Sequence, residues 1–377
     1  MSLMEEHYLV QKSAQQLAQQ YISPHADRWA QNKTFPKEAI QALAEAGFMG
    51  ILVPEQWDGA GCDLRSYVLV MEEIAKADGA TATIVGVHNS VGCLPILNFG
   101  TAQQKENYLK PMARGELLGA FCLTEPQAGS DAKNLQTKAT QEGDFFMLNG
   151  VKQFVTSGDV ADLAIVFAVT GKHQDKKEIS AFIVPTKTPG FEVAKVENKM
   201  GQEASHIAQI VFNNLKLSKD HLLGQLGEGM KIALSTLECG RLGVSAQAIG
   251  LAQRALTLSI QYAQERQSFG KKLCEHQAIQ FKLAEMATEL EAARQLMHYT
   301  ADKRDRGEPA LKEAAMAKLF ATETGEKVCR EALQIFGGYG YLRDFPIERI
   351  YRDVRVTTIY EGSSEIQKMI IGRDLTK

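Results

Sequence analysis

Along the first 115 residues the apolar positions recur every three or four places, the spacing that gives a helix one buried stripe. Pro36 stands where a first helical residue belongs, and Gly47 closes the segment Lys37–Ala46. Asp63 caps a helix through Leu64–Ala77. Thr101-x-x-Gln104 makes a capping box for another helix, which Pro111 and Gly115 end. From Gly79 to Asn98 the pattern is apolar nearly all round (Ile84, Val85, Val87, Val91, Leu94, Ile96, Leu97), which predicts a helix buried inside its domain. Near residue 116 the period shortens. The segments 117–123, 135–140, 144–148, 151–156, 164–169, 179–184 and 207–212 are short, β-branched or aromatic, and bounded by turn residues, as strands are. Asn149-Gly150, set between two of them, predicts a two-residue hairpin turn. The helical period returns at about 221 and persists through Gly229–Gln264, Gln277–Arg306 and Ala310–Phe336, with a break at Gly307-Glu308-Pro309. The expected architecture is multidomain α+β. An all-α domain spans 1–115, a β-barrel or sandwich domain 116–220, and a helical domain of four-helix-bundle type 221–377.

Composition narrows the function classes. The chain has 377 residues, 45% hydrophobic and 23% charged, enough for several domains and a large core. A net charge of -3 argues against nucleic acid as the main partner. The longest apolar run, Leu163 to Val169, is too short to cross a bilayer. The first residues lack the pattern of a signal peptide, so the expected location is cytoplasmic and not in a membrane. Cysteines 62, 93, 122, 239, 274 and 329 are scattered, with no Cys-x-x-Cys pair, and read as reduced thiols. The histidines are dispersed too, and no metal is expected.

Candidate chemistry concentrates near the C-terminus, where Ser364-x-x-Gln367 reads as a capping box opening a last helix to about Asp374. Glu361 precedes that helix, between an apolar Ile359-Tyr360 pair and Gly362. Apolar cover raises its pKa while the helix terminus favours the anion, a balance that suits a general base; a solvated cap is the alternative. No Rossmann or P-loop glycine pattern follows a strand, and Gly-x-Ser-x-Gly is absent. Gly337-Gly338-Tyr339-Gly340-Tyr341 follows a helix and, on spacing, reads as a helix stop.

Five motifs in register carry a resemblance. Ala120-Phe-Cys-Leu-Thr-Glu-Pro-Gln-Ala-Gly-Ser-Asp-Ala132 and Ile359-Tyr-Glu-Gly-Ser-Ser-Glu-Ile-Gln367 resemble the signatures of the acyl-CoA dehydrogenase family. Between them Leu237–Gly243, Glu265–Gly270 and Gln334–Gly338 keep the family's order and spacing. The resemblance spans essentially the whole chain. It implies an FAD enzyme that removes two hydrogens across Cα–Cβ of an acyl-CoA thioester. Glu361 would take the α-proton as the β-hydrogen leaves as hydride to flavin N5. The Glu361 N–H and a ribityl hydroxyl would polarise the thioester carbonyl.

The same resemblance implies site residues. Phe121, Leu123, Thr124 and Ser130 would line the flavin, although Thr124-Glu125-Pro126 also reads as a strand end entering a turn. Phe154, Val155 and Thr156 would flank the ring, with Phe154 standing where many relatives carry Trp. Arg266 would reach the pyrophosphate, its alternative being a solvated helix face. Phe269, Gln277, Gln334, Gly337 and Gly338 would complete the site, in part from a neighbouring subunit, and Ser363 and Glu365 would touch the adenosine half. Ser130, Glu238 and Arg241 would hold the CoA arm, with Glu238 also readable as the salt-bridge partner of Arg241. Tyr360 and Gly362 would flank the acyl group. Some relatives carry the base immediately before the arginine matching Arg241; here that position is Gly240, which leaves Glu361.

Gln247 and Thr357 match positions that narrow the acyl pocket of short-chain members, unless both are simply core polar residues. The first expectation for the substrate is butyryl-CoA, then a short branched acyl group such as 2-methylbutyryl or isobutyryl. A homotetramer passing electrons to electron transfer flavoprotein is implied. The rivals are a flavin scaffold that lost its chemistry and a CoA-ester binding module without flavin. Glu361, Thr156 and Arg241 speak against the first, and Arg266 with Gln334–Gly338 against the second.

Overall fold

The computed structural model describes residues 4–174 and 176–376, so the helical start read at residue 3 lies outside it. The N-terminal region comprises α1 Glu5–Leu17, α2 Ala26–Asn32, α3 Lys37–Glu45 and α4 Leu64–Ala77. Asp63 caps α4 by accepting the Ser66 N–H at 2.8 Å. Helices α5 Gly79–Val87 and α6 Leu94–Phe99 join through π-helical turns at His88–Cys93. The continuous helix, Gly79–Phe99, is long and apolar enough to cross a membrane, but 78% of its most apolar window is buried within the fold. It is a core helix, as its all-round apolar pattern requires. The Thr101–Gln104 capping box forms and opens α7 Ala102–Gln104, which passes through a π-helical segment into α8 Lys110–Ala113.

The middle region is an eight-stranded sheet of β1 Gly119–Cys122, β2 Lys138–Glu142, β3 Phe145–Thr156, β4 Leu163–His173, β5 Lys176–Pro185, β6 Phe191–Val196, β7 Ile207–Ser218 and β8 Leu222–Leu223. The order is β6-β7-β3-β2-β4-β5-β8, with β1 parallel to β4. On β4, Leu163, Ile165 and Phe167 face Ile96, Leu109 and Met112 of the N-terminal helices. Ala164, Val166 and Ala168 face Phe146, Ile210 and Phe212 of β3 and β7. Both faces of β4 are therefore core, which accounts for its unbroken apolar run. Strands far apart in the sheet order share that second core, so the sheet curls back on itself as a sandwich does.

The C-terminal region holds α9 Gly229–Glu265, a small hairpin of β9 Gln267–Ser268 and β10 Lys271–Lys272, α10 Gln277–Asp305, α11 Leu311–Phe336, α12 Ile347–Arg355 and α13 Ser364–Leu375. One core runs from Tyr67 and Ile74 of α4 through Leu242 and Ile249 of α9 to Met286 and Leu290 of α10 and Val328 of α11. The two helical regions thus share their interior.

Two local expectations are corrected. Asn149-Gly150 is not a hairpin turn: β3 runs straight through it with a register shift against β7, and the turn is Gly143-Asp144 between β2 and β3. A Cβ at Gly150 would lie 2.5 Å from Thr137 Oγ1, so the glycine serves a close approach and a bulge. Ser364-x-x-Gln367 is not a capping box either. The N-cap is Ser363, without a side-chain cap bond; Ser364 Oγ donates to Glu323 at 2.5 Å, and Gln367 Nε2 donates to the carbonyls of Glu361 and Gly362.

Candidate active site

Glu361 lies between α12 and α13 with φ 53°, and Gly362 follows at φ 89°. Two consecutive left-handed residues form only where surrounding bonds hold them. Here Gln367 Nε2 donates to the Glu361 carbonyl at 3.1 Å and to the Gly362 carbonyl at 2.8 Å. The Glu361 N–H has no acceptor among the described residues.

The carboxyl of Glu361 rests on Gly240 of α9. A Cβ added there would meet Cδ and Oε2 at 2.9 Å and Oε1 at 3.1 Å. The two candidate base positions of the sequence are therefore adjacent in space, and the glycine at one makes room for the carboxylate at the other. Burial pushes Glu361 up to about 7, against the opposing charges of Arg241 and Lys318. Oε2 has no hydrogen-bond partner, and neither cation comes within ion-pair distance.

Arg241 is equally incomplete. It is buried, its Nε and Nη1 lack partners, and burial lowers its pKa despite Glu361 and Glu238. Glu238 is not its salt-bridge partner; it pairs with Arg304 at 3.2 Å. Tyr67 of α4 sends its unpartnered hydroxyl toward Gly243, where a Cβ would come within 2.4 Å.

Next to Glu361 in sequence, Tyr360 donates to Gln247 Oε1. Gln247 Nε2 donates to Thr83 Oγ1 and to the Gly79 carbonyl, both at 2.7 Å, and Thr83 donates to Gln202 at 2.6 Å. Gln247 is thus part of a closed polar network. The Thr357 hydroxyl donates locally to the Val354 carbonyl at 2.7 Å and lies outside that network.

A second group of expected residues lies on the sheet. A register shift between Lys152 and Val155 puts Phe154 at φ 58° and turns its ring outward, 63% exposed. The carbonyl of Thr124, two residues beyond β1, accepts the Gln153 N–H at 2.8 Å, which joins the two segments read from the sequence as flavin-lining. Beneath them Lys152 Nζ donates to Glu125 at 2.7 Å and to the Leu123 carbonyl at 3.1 Å. Phe121 packs edge-on against Phe167, whereas Ser130 is exposed on the loop.

A third group lies at the far end of the bundle. Arg266 stacks its guanidinium 5.5 Å from the Tyr339 ring, beside Gly337 and Gly338, where an added Cβ would meet open space. Phe269, at the β9–β10 tip, is 96% exposed, and Gln277 begins α10. Gln334 lies in the last turn of α11. Ser363 and Glu365 do not join this group: they open α13 directly after Glu361-Gly362, where Ser364 Oγ donates to Glu323 and Lys318 to the Gly362 carbonyl. No hydrogen bond, ion pair or ring contact among the described residues joins this group to the one around Phe154.

Sequence reasoning missed Lys318, Tyr67, Thr83, Gln202 and the Lys152–Glu125 pair. Lys318 left a signal: it interrupts the stripe Ala314, Ala317, Ala321 on α11.

The chain matches the acyl-CoA dehydrogenase N-terminal domain over residues 4–116, the middle domain over 120–215 and the C-terminal domain over 227–376. These matches define an oxidoreductase acting on acyl-CoA. The chain belongs to the acyl-CoA dehydrogenase family, whose members bind FAD. It is 47% identical to a 3-(aryl)acrylate reductase of Clostridium sporogenes, with 100% of both chains covered. It is 42% identical to the caffeyl-CoA reductase-Etf complex subunit CarC of Acetobacterium woodii, again over 100% of both. The butyryl-CoA dehydrogenase structure from Megasphaera elsdenii superposes with TM-score 0.98 at 41% identity, covering 100% of each chain.

Proposed function

We propose that the protein catalyses FAD-dependent α,β-dehydrogenation of a short-chain acyl-CoA, with Glu361 as the base for the α-proton. The observation that carries this reading is the Glu361 carboxyl, buried on Gly240, held near 7, with one oxygen unpartnered. A base of that strength is substantially ionised at neutral pH yet basic enough to accept a carbon-bound proton. The free N–H of Glu361 supports its role as donor to the thioester oxygen, where negative charge grows as the proton leaves.

Bound FAD supplies the acceptor for the β-hydrogen. The residues present fit it. Phe154 offers an exposed aromatic face beside Val155 and Thr156, and Arg266 with the open Gly337-Gly338 backbone suits a pyrophosphate. Phe121, Leu123, Thr124 and Ser130 are assigned to the same flavin-lining group as Phe154, which the bond from the Gln153 N–H to the Thr124 carbonyl supports. Phe269, Gln277 and Gln334 belong with Arg266, whereas Ser363 and Glu365 lie beside Glu361 and are assigned to the adenosine half. Among the described residues no hydrogen bond, ion pair or ring contact joins the two groups, and on the family resemblance the site is read as shared between subunits of a homotetramer. Electron transfer flavoprotein is the proposed acceptor, in keeping with the Etf complex of the Acetobacterium relative.

Arg241 and Ser130 are assigned to the CoA arm. Glu238, committed to Arg304, contributes only by orienting that region. Butyryl is the preferred acyl group on the resemblance to short-chain members at Gln247, whose hydrogen bonds with Tyr360 and Thr83 also suit a core polar residue. A longer tail would forfeit about 0.8 kcal/mol for each methylene it could not bury. Short branched acyl groups come next. The reverse reaction, reduction of an enoyl-CoA, is a second reading. It is favoured by a carboxyl near 7, which can give a proton as readily as take one, and by the two relatives named as reductases.

The test is anaerobic mixing of the holoenzyme with butyryl-CoA while the flavin absorbance is followed. Bleaching in wild type, with Glu361→Gln still yellow and still binding acyl-CoA but reduced about 10²- to 10⁴-fold more slowly, supports the reading. Equal bleaching rates would remove Glu361 as the base.

A further inference from the structure

Helix α11 carries a lysine where its buried stripe calls for an apolar side chain. Ala314, Ala315, Ala321 and Thr322, one turn to either side, are buried, and Lys318 is buried with them at 0% exposure. An ammonium taken out of water must recover its hydration in what it touches. Lys318 Nζ donates to the Gly362 carbonyl at 2.9 Å, the same oxygen that accepts from Gln367 Nε2. Donors from α11 and α13 therefore converge on the Gly362 carbonyl, one residue past Glu361, in a turn where both residues have positive φ.

We propose that Lys318 is a positioning residue for Glu361: its ammonium fixes the Glu361–Gly362 turn and places a second positive charge, after Arg241, near the carboxylate but outside ion-pair distance. The inference rests on the reading of Glu361 as the base. The groups facing that carboxyl are Arg241 and Cys239 from α9, Lys318 from α11, Tyr67 from α4 and the adjoining Tyr360. Burial lifts the Glu361 carboxyl, and Arg241 and then Lys318 restrain that rise. Burial also lowers Lys318 to about 8, with Glu361 opposing the fall, so the ammonium form prevails at pH 7. Removing the charge removes one of two restraints, and the carboxyl titrates higher.

The holoenzymes K318M and K318R test this. In K318M, FAD content and acyl-CoA affinity should stay within about threefold of wild type, while flavin reduction at pH 7 falls about 30-fold. The acidic limb of the rate profile should move up by about one pH unit, so part of the deficit returns at pH 9. The infrared carbonyl stretch of protonated Glu361, assigned by its loss in E361Q, should titrate upward by the same interval. K318R, which keeps the charge, should leave that titration near wild type. If K318M does not accumulate folded, K318Q keeps a donor for Gly362 without the charge and should show the same infrared shift. A rate lowered evenly at every pH, with the infrared titration unmoved, would reduce Lys318 to a packing residue and overturn the proposal. A shifted infrared titration in a protein whose wild type is not reduced by any acyl-CoA would instead leave the positioning intact and remove the proposed reaction.

Discussion

Lys152 and Glu125 form a buried ion pair at 2.7 Å in the sheet, whereas Glu361 sits buried near Arg241 and Lys318 without an ion-pair contact to either. Glu125 accepts from Lys152, from Gln127 Nε2 and from the N–H groups of Gln136 and Thr137, so both oxygens are satisfied. Burial would raise it, but that full set of donors holds it below its ordinary range. At Glu361 burial meets only distant charges and wins. Desolvation opposes the anion at both sites, and hydrogen bonding decides which anion is held: a completed pair fixes backbone, and an incomplete one leaves a proton free to move.

Breaking the completed pair should have the largest effect. K152M leaves Glu125 short of its cation and unties the Leu123 carbonyl, so the middle region should lose about 3–5 kcal/mol of stability. Thermal unfolding monitored with flavin release should show an earlier transition, and K152M/E125L should recover much of it. A K152M protein as stable as wild type would mean that the pair contributes nothing beyond packing.

The incomplete cluster is sharpened by G240A. Alanine favours a helix interior over glycine by up to about 1 kcal/mol, yet its methyl would press within 2.9 Å of the Glu361 carboxyl. Stability should hold or rise while the flavin reduction rate falls about 10- to 100-fold through displacement of the carboxylate. An unchanged rate would show that the carboxyl does not need its present seat.

Both clusters were unequally visible in the sequence. The long helices α9, α10 and α11 and the buried strand β4 were legible because burial writes a period or an unbroken apolar run. Asn149-Gly150 misled because a glycine demanded by the nearby Thr137 looks the same as one demanded by a turn. Glu361 could be found from its apolar neighbours and the helix after it, and the resemblance to a family strengthened it. Ser364-x-x-Gln367 had the right spacing for a cap, but Gln367 is spent on the carbonyls of Glu361 and Gly362. Lys318 and Lys152 could not be distinguished from solvated lysines, since their partners lie 44 and 27 residues away and only the fold brings them together.

The smallest effect concerns stability at the incomplete cluster, and its sign runs against intuition. A carboxyl that titrates at 4.5 in the unfolded chain and at about 7 in the fold binds its proton more tightly when folded. Its contribution is therefore full below pH 4.5 and is lost as pH rises toward 7, at a cost of at most about 3 kcal/mol. Gln cannot ionise and escapes that loss. E361Q should exceed wild type by about 1 kcal/mol or less at pH 5 and by up to about 3 kcal/mol at pH 7.5, read as a rise in unfolding midpoint that widens with pH. The Lys152–Glu125 pair predicts the opposite for E125Q, since Glu125 is held low and its removal should hurt more as pH rises above the ordinary carboxylate range. If E361Q were destabilised at pH 7.5, Glu361 would be a completed structural anion like Glu125, and its readiness to move a proton would have to come from the bound substrate instead.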